Sequence, residues 1–280
     1  MIVYLNGEFL PLSEARIPVL DRGFIFGDGV YEVIPVYAGR LFRLQEHLQR
    51  LDNSLKGIKL QNPLTHQQWI EILETLVARN NGGDQAVYLQ ITRGPAKRDH
   101  NFPDHIVPTV LIMSEPTSPA PPSTGVKAIT CADTRWQHCD IKSIALLANI
   151  LLRRQAIEVG AAEAILIRDG YVMEGAASNV FIVDDGVAIT PPKSQFILPG
   201  ITRDLTLEAM QAAQLPCREA SIHVAQLRSA EEIWLTSSTR EILPVIRLDD
   251  KAVGKGNPGP VWTQVWQIYQ DYKQNLRTNG

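Results

Sequence analysis

The chain has 280 residues, 45% of them hydrophobic, enough for one large core or two modest ones. Its formal net charge of −3 argues against nucleic acid or an anionic membrane as an obligate partner. Three cysteines (Cys131, Cys139, Cys217), odd in number and without CxxC spacing, read as reduced thiols of a cytoplasmic protein, with neither a disulfide framework nor a metal site.

The first residues lack the basic start and long apolar stretch of a signal peptide. Val3-Tyr-Leu-Asn6-Gly7-Glu-Phe-Leu10 instead sets an Asn-Gly turn between apolar runs, a hairpin signal. Tyr31-Glu-Val-Ile-Pro-Val-Tyr37, Ala38-Gly39 and Arg40-Leu-Phe-Arg43 predict a second hairpin. Leu44, Leu48, Leu51 and Leu55 follow at helical spacing. Arg43, His47, Arg50 and Ser54 share one flank of that stripe. A helix over His66–Asn80 and strands over Ala86–Thr92 and Thr109–Ser114 come next. Four prolines in 116–125 cannot continue a helix or a central strand, so this stretch is read as an interdomain linker. It would separate an N-terminal α/β domain, 1–115, from a C-terminal α/β domain, 126–280.

The second half predicts a strand at Val126–Cys131 and a helix at Leu146–Val159. Hairpins turn at Asp169-Gly170 and Asp185-Gly186, and a helix starts near Thr202. Strands at Ile233–Ser237 and Leu243–Leu248 precede a last helix, Val261–Leu276. No segment approaches the ~18 uncharged apolar residues of a membrane span. Strands and helices mix without a regular βαβ rhythm, which points to a two-domain α+β, or mixed α/β, protein.

Lys142 precedes the apolar run Ile144-Ala-Leu-Leu-Ala148. Desolvation at such a place lowers a lysine's pKa and frees its amine as a nucleophile for Schiff-base chemistry. A surface lysine with its stem along apolar neighbours explains the same residue. Glu174-Gly-Ala-Ala-Ser-Asn179 joins a carboxylate to small residues, which let a flat ligand approach or simply form a turn. Leu198-Pro-Gly-Ile-Thr-Arg203 leads into a helix whose free N–H groups, with the Thr202 hydroxyl, can cradle a phosphate or merely be capped. Thr236-Ser-Ser-Thr239 offers successive hydroxyls for an anion or a polar turn. Taken together, a nucleophilic lysine, a carboxylate, a helix-start anion site and the upstream Arg50 are the parts of a pyridoxal-phosphate site.

These motifs resemble the fold-type IV pyridoxal-phosphate enzymes, the class-IV aminotransferases, over essentially the whole chain. The resemblance rests on Phe42-Arg-Leu-Gln-Glu-His-Leu-Gln-Arg50-Leu, Cys139-Asp-Ile-Lys142-Ser, Glu174-Gly-Ala-Ala-Ser-Asn179 and Leu198-Pro-Gly-Ile-Thr202-Arg. It implies a two-domain fold with the cofactor between domains. It also implies that Lys142 carries the aldimine and shuttles the substrate proton, while Glu174 pairs with the ring nitrogen and Leu198 supports the ring. Arg50, the backbone of Ile201 and Thr202, and Ser238 would hold the phosphate. Ala176-Ala177 stands where relatives often have serines.

The loop Arg93-Gly-Pro-Ala-Lys-Arg98-Asp-His100-Asn-Phe-Pro103 bears on substrate choice. In an extended chain Arg98 and His100 point the same way, and a guanidinium fork beside an imidazole suits bidentate capture of a carboxylate. A solvated basic loop is the plainer alternative. The pair resembles the carboxylate trap of D-amino acid transaminases, with Tyr31 completing it and Val33 and Thr239 beside the substrate. The resemblance implies a homodimer in which this loop reaches the neighbouring site. The expected activity is transfer of the amino group between D-amino acids, such as D-alanine or D-glutamate, and α-keto acids. Aminodeoxychorismate lyase, L-branched-chain transaminase and (R)-amine transaminase share the same cofactor chemistry.

Overall fold

A computed structural model describes residues 1–117 and 124–279. Most of the proline-rich stretch expected to join two domains, residues 118–123, lies outside the described residues. The chain groups into two units. The first is Met1–Pro119 with Ile141–Ala145 and Leu276–Gly280; the second is Ala120–Asp140 with Leu146–Asn275.

In the first unit, β1 (Ile2–Leu5) and β2 (Glu8–Pro11) form the first hairpin. Its turn places Asn6 at φ 51° and Gly7 at φ 104°, conformations these two residues accept. A short helix α1 (Arg22–Phe26) follows, capped by Asp21 and closed by Gly27 at φ 67°. The five residues of α1 are too few to leave a periodic signal in the sequence. Strands β3 (Gly29–Tyr37) and β4 (Arg40–Leu41) form the second predicted hairpin. Helix α2 (Leu44–Gly57) buries Leu48, Leu51 and Leu55, the stripe seen in the sequence. Helix α3 (His66–Arg79) opens on a Thr65–Gln68 capping box, in which each side chain satisfies the other residue's backbone N–H. Strands β5 (Gln85–Thr92) and β6 (Thr109–Pro116) complete an antiparallel sheet in the order β2-β1-β6-β5-β3-β4. Its core joins Ile34, Leu89 and Ile112 of the sheet to Leu51, Trp69 and Leu73 of the two helices.

The second unit begins with β7 (Val126–Ala132), α4 (Leu147–Glu158) and β8 (Glu163–Arg168), a parallel pair joined across a helix. Strands β9 (Tyr171–Gly175), β10 (Asn179–Asp184) and β11 (Val187–Thr190) follow in hairpins. Their turns hold Asp169-Gly170 and Asp185-Gly186 at positive φ, as tight two-residue turns require. Then come α5 (Ile201–Ala212), β12 (Cys217–Glu219), α6 (Val224–Ser229), β13 (Glu232–Ser237), β14 (Glu241–Leu248), β15 (Lys251–Ala252) and α7 (Pro260–Asn279). The sheet runs β12-β11-β10-β13-β14-β7-β8-β9, with β15 on β14, and mixes parallel with antiparallel pairs. The whole is a mixed α+β architecture. No helix of the described residues is long and apolar enough to cross a membrane.

Candidate active site

Strand β3 alternates two functions on its two faces. Val30, Glu32 and Ile34 are buried, whereas Tyr31 and Val33 are partly open. Glu32 is thus a carboxylate placed in an apolar phase, and α2 answers it. Helical spacing brings His47 and Arg50 onto it: Arg50 Nε and Nη2 donate to its two oxygens at 2.8 and 2.7 Å. His47 Nδ1 meets Glu32 Oε2 at 2.7 Å. Burial alone would raise the Glu32 pKa, but the charge and hydrogen bonds of Arg50, then His47, bring it down to about 2. Burial holds the His47 pKa below its usual value, against Glu32. With Glu32 ionised, Nδ1 is the donor, and His47 Nε2 lies buried with no hydrogen-bond partner.

Lys142 lies in the stretch 141–145, which groups with the first unit although sequence order sets it in the second half. Tyr31 N donates to Lys142 O at 2.9 Å, and Ile144 N to Gly29 O at 3.1 Å, so the stretch runs beside β3. Lys142 N donates to Ser54 Oγ of α2 at 3.1 Å. Gly57 makes room for the stretch, since a Cβ there would sit 2.8 Å from Ile141. Lys142 Nζ stands 4.3 Å from the centre of the Tyr31 ring, within cation–π reach. Tyr31 in turn faces Tyr88 at 5.7 Å between ring centres. Burial, with the Tyr31 phenol next, pushes the Tyr88 hydroxyl up to about 12.

The 93–103 loop carries Arg98 and His100, both exposed. Both lie against the Phe26 ring, Arg98 at 5.5 Å and His100 at 5.6 Å from its centre. The two side chains therefore do come together, on a shared aromatic support.

In the second unit, Glu174 lies near the end of β9 and is buried. Arg135 Nη1 donates to its Oε1 in a close ion pair. Leu198 N and Asn179 Nδ2 donate to Oε2 at 3.0 and 3.1 Å. Burial outweighs these partners and raises the carboxyl to about 7. Behind it, Asp133 accepts from Arg135 Nε at 2.9 Å and pairs with Arg168 at 3.1 Å, so Arg135 serves two carboxylates. Asp133 and Glu174 hold the Arg135 guanidinium above its usual range, against burial. Gly175 and Gly200 are required by space: a Cβ would fall 2.2 Å from Ser178 Oγ in one case and 1.9 Å from Asn179 Oδ1 in the other. Helix α5 starts at Ile201 after Gly200, with no side-chain cap on its first N–H groups, and the Thr202 side chain there is buried. Ser238 and Thr239 lie in the turn after β13, and the neighbouring Thr236 Oγ1 is buried without a hydrogen-bond partner. No cluster of His, Cys, Asp and Glu suited to a metal occurs among the described residues.

The model of the amino-transferase class IV family matches residues 29–248. The chain belongs to the class IV aminotransferases. A D-alanine aminotransferase of Staphylococcus epidermidis is 39% identical over 276 residues, 98% of each chain. One from Bacillus licheniformis is 40% identical over 273 residues, 97% of this chain and 96% of its own. Among solved structures, a T.th. branched-chain amino acid aminotransferase complexed with N-(5′-phosphopyridoxyl)-L-glutamate has a TM-score of 0.92 at 27% identity, covering 99% of this chain and 95% of its own. A branched-chain amino acid aminotransferase from Escherichia coli has a TM-score of 0.90 at 28% identity, covering 96% and 92%. This chain is accordingly a pyridoxal-phosphate-dependent aminotransferase of fold type IV.

The donors present suit that cofactor. Glu174 is a buried carboxylate among donors from Arg135, Leu198 and Asn179, and burial still pushes it up to about 7, an environment that a ring N–H⁺ would suit. The start of α5, without a side-chain cap, leaves the kind of helix N–H groups that suit a phosphate. Sequence alone does not place three residues in these charge systems. Arg135 reads as packing as readily as cofactor wall, because its partner Glu174 lies 39 positions away. Glu32 escapes it, although a carboxylate in the apolar phase of a strand is itself a signal. His47 reads as structural, yet it borders the same carboxylate as Arg50.

Proposed function

We propose that this aminotransferase moves the amino group between D-amino acids and α-keto acids. The observation that carries the reading is the near-full-length match, at 37–40% identity, to proteins described as D-alanine aminotransferases. The pairing of Arg98 and His100 on Phe26 supports it, because a guanidinium and an imidazole on one support suit a carboxylate.

Pyridoxal 5′-phosphate, when bound, supplies the carbonyl that exchanges the amino group and a ring that stabilises the charge left when the Cα proton departs. Lys142 Nζ would hold that carbonyl at rest and would take the Cα proton from the donor. Glu174 would pair with the ring nitrogen and keep a proton on it, and Leu198 would support the ring. Arg50, kept in orientation by Glu32, would bind the phosphate, as would the N–H groups of Ile201 and Thr202 and the Ser238 hydroxyl. Tyr31, with Arg98 and His100 reaching in from the neighbouring subunit, would fix the substrate carboxylate and so decide the enantiomer whose Cα–H faces Lys142, and Val33 and Thr239 would border the side chain.

The working form is a homodimer in the cytoplasm. Apolar side chains left open on the single chain support the dimer: Val19, Phe24 and Val107 in the first unit, Leu147 and Ile150 in the second. Three unpaired cysteines support the compartment. The branched-chain aminotransferases among the solved structures give the second reading, L-leucine and its relatives as donors. One assay decides between them: steady-state kinetics with matched D and L donors and 2-oxoglutarate or pyruvate. D-Alanine and D-glutamate should lead; faster turnover of L-leucine or L-glutamate than of D-alanine would overturn the D reading.

A further inference from the structure

Three buried or nearly buried charges of the first unit have no part in the chemistry above. Arg22 and Arg93 have side chains 5% and 1% exposed, and both pair with Asp28. Arg22 Nε donates to Asp28 Oδ2 at 2.8 Å. Arg93 Nε and Nη2 donate to the two Asp28 oxygens at 2.8 and 2.9 Å. Two guanidinium groups on one carboxylate are costly to bury, so their remaining donors need acceptors. Arg93 finds Ile58 O at 2.7 Å on the interior side. Arg22 finds the loop instead. Its Nη1 donates to Asp99 O at 2.6 Å and reaches Asn101 O at 3.3 Å. Those carbonyls flank His100, and Asp99 itself follows Arg98.

The rest of α1 completes the support. The Arg22 guanidinium lies 4.8 Å from the Phe26 ring centre, so Phe26 has Arg22, Arg98 and His100 around it. Backbone bonds lock the two segments: Arg22 N to Gly94 O at 3.0 Å, and Ala96 N to Leu20 O at 3.1 Å. Gly23 lets α1 lie on the end of β5, since a Cβ there would come 2.2 Å from Thr92 Cγ2. A five-residue helix with Phe24 left open is weakly held by packing. Polar bonds therefore set where the loop runs.

We propose that Arg22, clamped by Asp28, is the positioning residue of the carboxylate trap: it fixes the 99 and 101 peptides so that Arg98 and His100 present their donors together on Phe26. This rests on the reading of Arg98 and His100 as the carboxylate-binding pair. The chemistry recognised is that of a short α-amino or α-keto carboxylate.

The test compares holoenzymes of wild type, Arg22→Met, Arg22→Lys and Arg98→Ala. Hydrogen–deuterium exchange over residues 94–103 should speed up by roughly 10-fold in Arg22→Met, because both carbonyl anchors are gone. KM for D-alanine and pyruvate should rise roughly 10- to 100-fold in Arg22→Met and in Arg98→Ala, with kcat changed by no more than about 3-fold. Arg22→Lys keeps the charge beside Asp28 but cannot span both carbonyls, so its KM should rise by about 3- to 10-fold. This variant decides the matter if Arg22→Met does not fold. Wild-type exchange and KM in the Arg22 variants, with a raised KM in Arg98→Ala, would overturn the positioning role and leave the trap standing. Unchanged KM in Arg98→Ala would overturn the trap, and with it the role given to Arg22, whatever the exchange shows.

Discussion

Replacing Glu32 by Gln tests how much the first unit depends on one buried carboxylate. The native group accepts from Arg50 twice and from His47 once. An amide offers one acceptor oxygen, and its NH₂ would face the Arg50 donors. The magnitude follows from the pKa. Glu32 is brought from 4.5 to about 2, which at ~1.4 kcal/mol per pH unit amounts to ~3 kcal/mol of stability in favour of the charged form. Removing one partner of a buried ion pair costs ~3–5 kcal/mol, in agreement. A depressed carboxylate pKa contributes stability that is present above the unfolded value, 4.5, and is lost as pH falls towards 2. Urea unfolding of the cofactor-free chain should therefore show E32Q less stable by ~3 kcal/mol at about pH 7. At about pH 3.5 the gap should narrow by roughly 1 kcal/mol. A loss under about 1 kcal/mol at neutral pH, or a gap that stays constant down to about pH 3.5, would refute the reasoning.

Three further outcomes are expected. Glu174 is raised from 4.5 to about 7, so the folded cofactor-free chain keeps a proton there that the unfolded chain releases. Stability should fall by up to ~3 kcal/mol as pH rises through that window, and Glu174→Gln should flatten the slope in urea titrations between about pH 5 and 8. Gly200→Ala puts a methyl 1.9 Å from Asn179 Oδ1 and displaces a donor of Glu174, so cofactor affinity, followed by fluorescence titration, should drop with a stability loss of ~1–3 kcal/mol. Lys142→Ala should remove the absorption band of lysine-bound cofactor and cut turnover at least ~100-fold, seen in visible spectra and coupled assays.

Periodic patterns carried most of the fold. The Leu44–Leu55 stripe marked α2 and the flank holding His47, Arg50 and Ser54. Turn chemistry at Asn6-Gly7, Asp169-Gly170 and Asp185-Gly186 located three hairpins. The α3 start at His66 matched to the residue because Thr65 and Gln68 make a capping box. What escaped was short or non-local. Helix α1 has one turn and a hydrophobic residue facing solvent, so no period marks it. Arg135 and Glu174 are buried together by tertiary packing that sequence separation hides, as are Arg93 and Asp28 across 65 positions. Lys142 was recognisable as a candidate, whereas its attachment to Tyr31 and Ser54 depends on a five-residue stretch running beside β3.

The two-sided character of β3 separates what can be redesigned from what must be kept. Its eight-residue register with β5, from Gly29–Thr92 to Val36–Gln85, fixes which side chains look inward. Val33 is partly open while Glu32 is buried on the opposite face, so on the proposed reading substitutions at Val33 reshape the substrate side while the Glu32 charge system stays in the core. An insertion or deletion of one residue inside β3 has the reverse property. It would exchange Tyr31 with Glu32, turning a phenol into the core and a carboxylate toward Lys142. On the proposed reading, libraries aimed at new donors vary Tyr31 and Val33 at constant strand length.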